Sequence, residues 1–284
     1  MPELSVLADG FTFTEGPRWH DGQLWFSDMH DHTVYRATTD GKVEPVVEVA
    51  GKPSGLGWLP DGRLLVVSME DRRLMRLDAG RQLVEVADLS GVATWHCNDM
   101  VVDAAGRAYV GNFGFDMWAR DATVRPASLA RVDPDGTVST AATELQFPNG
   151  MVITPDGGTL IVGESYGGCL TAFDVAPDGS LSGRRTWAAL SGATPDGICL
   201  DAEGAVWLAS PVGHEVLRVR EGGEEVERVT VGEDRRAVAC MLGGPDRRTL
   251  FVCTTQAIVP EKATKLRSAR IEMIEVAVPG VGWP

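Results

Sequence analysis

Basic residues are in the minority: 26 Lys and Arg stand against 40 Asp and Glu, a net charge of −14. A surface so acidic repels phosphate backbones and anionic lipid, which excludes nucleic acid and membrane surfaces as partners and suits a cation. No stretch approaches the roughly 20 apolar residues of a membrane-spanning helix. The opening MPELSVLADG lacks a basic segment followed by an apolar run, so no secretory signal is expected. Cysteine is scarce and unpatterned. Cys97, Cys169, Cys199, Cys240 and Cys253 are odd in number and form no CxxC, which argues against a disulfide framework and for a reducing cytoplasm. The few histidines are too scattered for a zinc site, and no phosphate-binding glycine loop occurs.

Glycine and proline, by contrast, are plentiful, at 33 and 16 residues. They imply many tight turns and short elements, which excludes a helical bundle. One pattern recurs six times: a residue before glycine opens a short apolar run, an Asp/Gly turn follows, and a second apolar run ends in small or polar residues. The copies begin at Glu15, Ser54, Asn98, Asn149, Asp196 and Val238, the last degenerate, with spacings of 39, 44, 51, 47 and 42 residues. Asp-Gly between alternating apolar runs marks a hairpin. Third strands follow as TVYRAT, RLMRLD, SLARVD, CLTAFDV and EVLRVR, and fourth strands as VEPVVEV or QLVEVADL. Four strands at this period predict a propeller blade. The chain is therefore expected to be all-β, a six-bladed β-propeller over residues 1–284 in one domain. Residues 3–10 are expected to complete blade six, so that the ring closes without an open seam.

In a propeller the innermost strands line a central channel, so Glu15, Ser54, Asn98, Asn149, Asp196 and Val238 form one column facing the axis. Asn-Gly and Asp-Gly also serve as ordinary turns, but Glu15 before Gly-Pro is not a favoured turn residue. Two carboxylates and two carboxamides converging with no base among them call for a cation, and hard oxygen donors suit Ca²⁺, Mg²⁺ or Mn²⁺. Three or four protein ligands leave such an ion open to water or substrate, the arrangement that hydrolysis needs.

Loops on the same face bring Asp28, His30, His32, Glu70, Asn112, Asp116 and Ser165, and the long segment FGFDMWARDATVRPA is read as a lid or pocket wall. Trp95 and Trp118 lie near this mouth. Gly163-Glu164-Ser165-Tyr166-Gly167 has the form of a nucleophile elbow, but a strand rather than a helix follows, so it is read as a blade loop. Asp133-Pro-Asp135-Gly136 lacks the later acids of a calcium loop and is read as a turn.

Glu15-Gly16-Pro17, Asn98-Asp99, Pro148-Asn149-Gly150 and Pro195-Asp196-Gly197, in this order on six blades, resemble the family of gluconolactonase, regucalcin (senescence marker protein) and luciferin-regenerating enzyme. The resemblance covers essentially the whole chain. It implies one divalent cation on the axis held by Glu15, Asn149 and Asp196, with Asn98 contacting substrate and Asp196 acting also as general base. Calcium is the first choice, with Zn²⁺, Mn²⁺ or Mg²⁺ as alternatives. Regucalcin-like members carry Arg where this chain has His96, and Asp116 is the candidate for the acid that holds sugar hydroxyls.

The reading that follows is a metal-dependent lactonase or ester hydrolase, cytoplasmic, acting on a small molecule as a monomer or small homo-oligomer. Asp196 is catalytic, and Asn98, His96 and Asp116 bind substrate. Three alternatives stand beside it: a cation or small-ligand binder without turnover, a relative recruited to another ring opening, and a scaffold for protein partners.

Overall fold

In the computed structural model, which describes residues 4–282, six four-stranded antiparallel sheets follow one another around a ring. Their innermost strands are Thr14–His20, Pro53–Trp58, Cys97–Val102, Pro148–Ile153, Ile198–Leu200 and Arg236–Gly243, one for each sequence copy. The fold is the expected six-bladed β-propeller. Blade six has the order Ser5–Phe11, Ala269–Glu275, Thr249–Thr255, Arg236–Gly243, so the N-terminal strand completes it. Of the residues assigned to that closing strand, Glu3 lies outside the described residues. Ring closure leaves the first and last segments of the chain hydrogen-bonded to each other, which removes a free edge.

Apolar alternation places the core between blades rather than within them. Leu65, Val67 and Leu74 of blade two pack with Met100, Val102 and Val110 of blade three. Val101, Tyr109 and Leu129 of blade three pack in turn with Met151, Leu160 and Val162 of blade four. The same interlocking joins blades five, six and one through Trp207, Leu242, Phe251 and Phe26. Each sheet thus buries both faces against its neighbours, which fixes the angular position of every inner strand.

Two features go beyond the repeat. A short helix, Pro260–Leu266, interrupts blade six, and a single turn of 3-10 helix, Met29–Asp31, sits after the second strand of blade one. Both lie at the end of the channel where the column residues stand, and they touch each other through Arg267, whose Nη1 donates to Asp31 Oδ1 at 3.0 Å. No helix among the described residues is long and apolar enough to cross a membrane.

Candidate active site

The column is built by a local irregularity repeated around the ring. In blades one to four the strand register skips where the motif lies: between Glu15 and Arg18, Pro53 and Leu56, Cys97 and Met100, and Pro148 and Met151. A skipped register bends the strand and re-aims side chains, here at the mouth end of each innermost strand. The glycine that follows the column residue is required by the neighbouring blade. Gly150 presses on blade five so closely that a Cβ would lie 2.5 Å from Ile198 N and 2.6 Å from Asp196 O. Gly16 combines φ +54 with a Cβ position 2.7 Å from Ser54 O. The motif glycines therefore let adjacent innermost strands meet at the axis.

Hydrogen bonds stitch the column together from blade to blade. Ser27 Oγ donates to Ser54 O at 2.7 Å, and Ser54 Oγ reaches Asn98 Oδ1 at 3.4 Å. Asn98 Nδ2 donates to Asn149 Oδ1 at 2.9 Å, and Asn149 Nδ2 to Ser165 Oγ at 3.1 Å. Ser165 Oγ donates to Pro195 O at 2.7 Å. The backbone continues the belt, with Gly150 N donating to Asp196 O at 3.1 Å and Gly197 N to Val238 O at 2.9 Å. The amide of Asn149 is thereby held from both sides.

Glu15, Asn98, Asn149, Asp196 and Val238 form the floor of a cavity of about 680 Å³. Glu15, Asn98 and Asn149 are buried, and Asp196 is partly open to the cavity. Burial raises the Glu15 carboxyl well above the usual range, and the charges of Asp196 and Asp99 raise it further, against the Gly16 N–H and Arg18. Burial likewise raises Asp196, opposed by the Asn149 amide and reinforced by Asp99. The nearest guanidinium is committed elsewhere. Arg18 Nη2 donates to Asp99 Oδ1 at 2.7 Å and to Met100 O at 2.6 Å, and its Nη1 to Pro17 O at 2.8 Å. Three carboxyls thus share one cationic side chain.

That imbalance is the test of whether the residues suit a divalent cation, and they do. Glu15, Asp196 and the amide oxygens of Asn98 and Asn149 line one cavity, and a bound cation would relieve the repulsion that raises both carboxyls. Among the described residues, no three of His, Cys, Asp and Glu converge as a metal cluster; the column residues lining the cavity offer carboxylate and amide oxygens. Hard oxygen donors of this kind match Ca²⁺, Mg²⁺ or Mn²⁺.

The remaining residues singled out in the sequence divide into two groups. His96 lines the cavity, half-buried and stacked on Trp95 with ring centroids 4.9 Å apart, and burial lowers its pKa. His30, Glu70, Ser165 and Trp118 also line it. Asp116 does not; its Oδ1 turns back to accept Trp118 N at 3.0 Å. Asp28 and Asn112 are wholly buried structural residues: Asp28 accepts from Thr12 N and Phe13 N, and Asn112 binds Ser128 O and Gly114 N. His32 contacts Ala50 O away from the cavity. The GxSxG serine sits in a blade loop between strands Thr159–Glu164 and Cys169–Val175, holding Asn149 in place. The long segment read as a lid or pocket wall supplies Phe113, Met117 and Trp118 to the lining, whereas sequence reasoning passed over Arg18, Lys52 and the rest of the apolar wall, Phe147 and Tyr166. For the wall, the aromatic residues flanking the PNG and GES motifs were the available signal.

Comparison with known proteins follows the same lines. A pentonolactonase from Haloferax volcanii is 28% identical over 263 residues, covering 89% of this chain and 85% of that protein. The structure of a gluconolactonase from Xanthomonas campestris superposes with TM-score 0.76 at 26% identity, over 98% of this chain and 89% of that one. The calcium-binding protein regucalcin from Agrobacterium tumefaciens shares the fold, with TM-score 0.82 at 21% identity over 100% and 97% of the two chains. The family profile described as SMP-30/Gluconolactonase/LRE-like region matches residues 13–256, spanning all four motifs that make the floor. The chain belongs to the SMP-30/gluconolactonase/LRE-like family.

Proposed function

We propose that the protein is a divalent-cation-dependent hydrolase that opens a lactone to its hydroxy acid. The observation that carries this reading is the convergence of Glu15, Asp196 and the Asn98–Asn149 amides at the floor of a solvent-reachable cavity, with one guanidinium already bound to Asp99. The lactonase relatives support the reaction class, and the calcium-binding relative supports Ca²⁺ as the first ion to try.

Glu15, Asn149 and Asp196 would hold the cation. When bound, it supplies a Lewis acid for the lactone carbonyl. Asp196 is the column carboxyl most open to the cavity, so it takes the proton as water adds to the carbonyl carbon. The acyl C–O bond then breaks, and the departing ring oxygen takes that proton, giving a hydroxy acid. Asn98 fixes the Asn149 amide through its 2.9 Å hydrogen bond. His96, neutral because burial lowers its pKa, offers a ring nitrogen to the substrate from the wall. The free cysteines suit a reducing compartment, and we place the enzyme in the cytoplasm.

The test is Asp196→Asn. The substitution keeps size and shape, so the far-UV spectrum and melting temperature stay close to wild type, whereas hydrolysis falls by roughly 10²–10⁴-fold, the contribution of a general base. Wild-type turnover in a folded Asp196→Asn protein would sink the assignment.

A further inference from the structure

Above its polar floor the cavity is apolar, and three independent observations bear on what fills it. First, the wall is aromatic. Phe147 stacks on Phe113 with centroids 4.7 Å apart and meets Tyr166 edge-on at 5.3 Å, and Met29 and Met69 pack into the same cluster. Second, part of the polar lining is engaged within the protein. Asn98 Nδ2 and Asn149 Nδ2 each spend one N–H along the Asn98–Asn149–Ser165 chain, Ser165 Oγ donates its O–H to Pro195 O, and Lys52 Nζ is bound to Glu70 Oε1 at 2.6 Å. Third, large apolar side chains left in water gather at the mouth. Of the seven among the described residues, Trp118, Tyr166 and Val212 line the cavity, and Val259 stands between the lining residues Ile258 and Pro260.

A polyhydroxylated ring would set its hydroxyls against this wall with few partners, and each hydroxyl buried unpaired costs binding. An alkyl or aryl substituent would instead replace water on the Phe113–Phe147–Tyr166 surface. A volume of about 680 Å³ accommodates such a substituent along with the lactone ring. Exposed apolar residues concentrated around a concave site mark a ligand groove.

We propose that the substrate is an uncharged lactone bearing an apolar substituent, with its ester group on the Glu15–Asn149–Asp196 floor and the substituent on the Phe113–Phe147–Tyr166 wall. This rests on the lactonase reading above.

The experiment measures kcat/KM for δ-lactones of increasing alkyl length, from δ-valerolactone to δ-dodecalactone, alongside glucono-1,5-lactone, with Ca²⁺, Mg²⁺, Mn²⁺ or Zn²⁺ present. Each buried methylene should raise kcat/KM by up to about fourfold until the wall is covered, from a buried CH₂ being worth about 0.8 kcal/mol. Glucono-1,5-lactone should fall at least tenfold below δ-decalactone. Tyr166 is half exposed, so Tyr166→Ser folds, and it should cut the δ-decalactone to δ-valerolactone ratio by about fivefold or more. Hydrolysis of glucono-1,5-lactone with no gain from alkyl length overturns this inference and leaves the lactonase reading standing. No hydrolysis of any lactone with any of the four cations overturns both.

Discussion

Arg18→Met tests how the charges beneath the column are balanced. Arg18 and Asp99 are each about 6% exposed in their side chains and lie 81 residues apart in sequence, on blades one and three. The substitution removes the 2.7 Å ion pair and the bonds to Met100 O and Pro17 O. It leaves Asp99 with the N–H of Met100 as its remaining bond, beside Glu15 and Asp196. Breaking a buried pair from one side costs about 3–5 kcal/mol, because the orphaned charge stays buried. For a chain of this size that is roughly 2 °C per kcal/mol, so a fall in melting temperature of about 6–10 °C is expected. The pH dependence has a fixed sign. Burial already raises the Asp99 carboxyl above its unfolded value of roughly 3.9, and losing Arg18 raises it further, so the part of the deficit that comes from the orphaned charge grows as pH rises from the unfolded value toward the raised folded pKa. Urea melts at pH 5 and pH 8 should show the larger loss at pH 8. Arg18→Met/Asp99→Asn removes the orphaned charge and should recover most of the stability. A deficit under about 1 kcal/mol, equal at both pH values and unrelieved in the double variant, would refute the reasoning.

The close approach of blades four and five predicts that Gly150→Ala is costly despite its size. The new methyl meets backbone at 2.5 Å and 2.6 Å, which cannot move aside, so about 1–3 kcal/mol is lost in urea melts and kcat drops as Asp196 shifts. A silent Gly150→Ala would mean that the strands separate freely. His30 provides a test by pH. Burial and the charge of Lys52 push its pKa from 6.5 down to about 4, and its Nδ1 has no partner. The unfolded chain binds that proton first, so stability is lost as pH falls through 6.5 toward 4. The loss is about 1–2 kcal/mol, allowing for cavity water at the ring. His30→Gln should flatten that part of the profile, and an unchanged acid slope would count against a neutral His30.

Much of the fold is legible in the sequence, because local turn chemistry and period-two alternation dictate hairpins regardless of context. RLMRLD and CLTAFDV are strands over the very residues read, Arg73–Asp78 and Cys169–Val175. The meeting of Glu15, Asn98, Asn149 and Asp196 follows from repetition, since equivalent positions in a ring must face one axis. What escapes the sequence is non-local. Nothing near Arg18 announces a partner 81 residues away. Phe147, at φ +62, reads as a turn residue before Pro148, and only the packing of blades three and four makes it a wall. The seven-residue helix Pro260–Leu266 is too short to show a helical period. Asp116 has the right residue type in the right loop, but its own Asx turn with Trp118 draws it out of the cavity.

The central claim is that the axial carboxylates work through a divalent cation on a lactone. The direct measurement is the rate of acid release from a lactone panel by chelator-treated protein, before and after one cation is returned at a time. The account predicts no hydrolysis in the stripped protein and its return with Ca²⁺ or another oxygen-preferring ion, in proportion to the ion bound. Undiminished hydrolysis by metal-free protein would contradict it, as would tight cation binding with every lactone left intact.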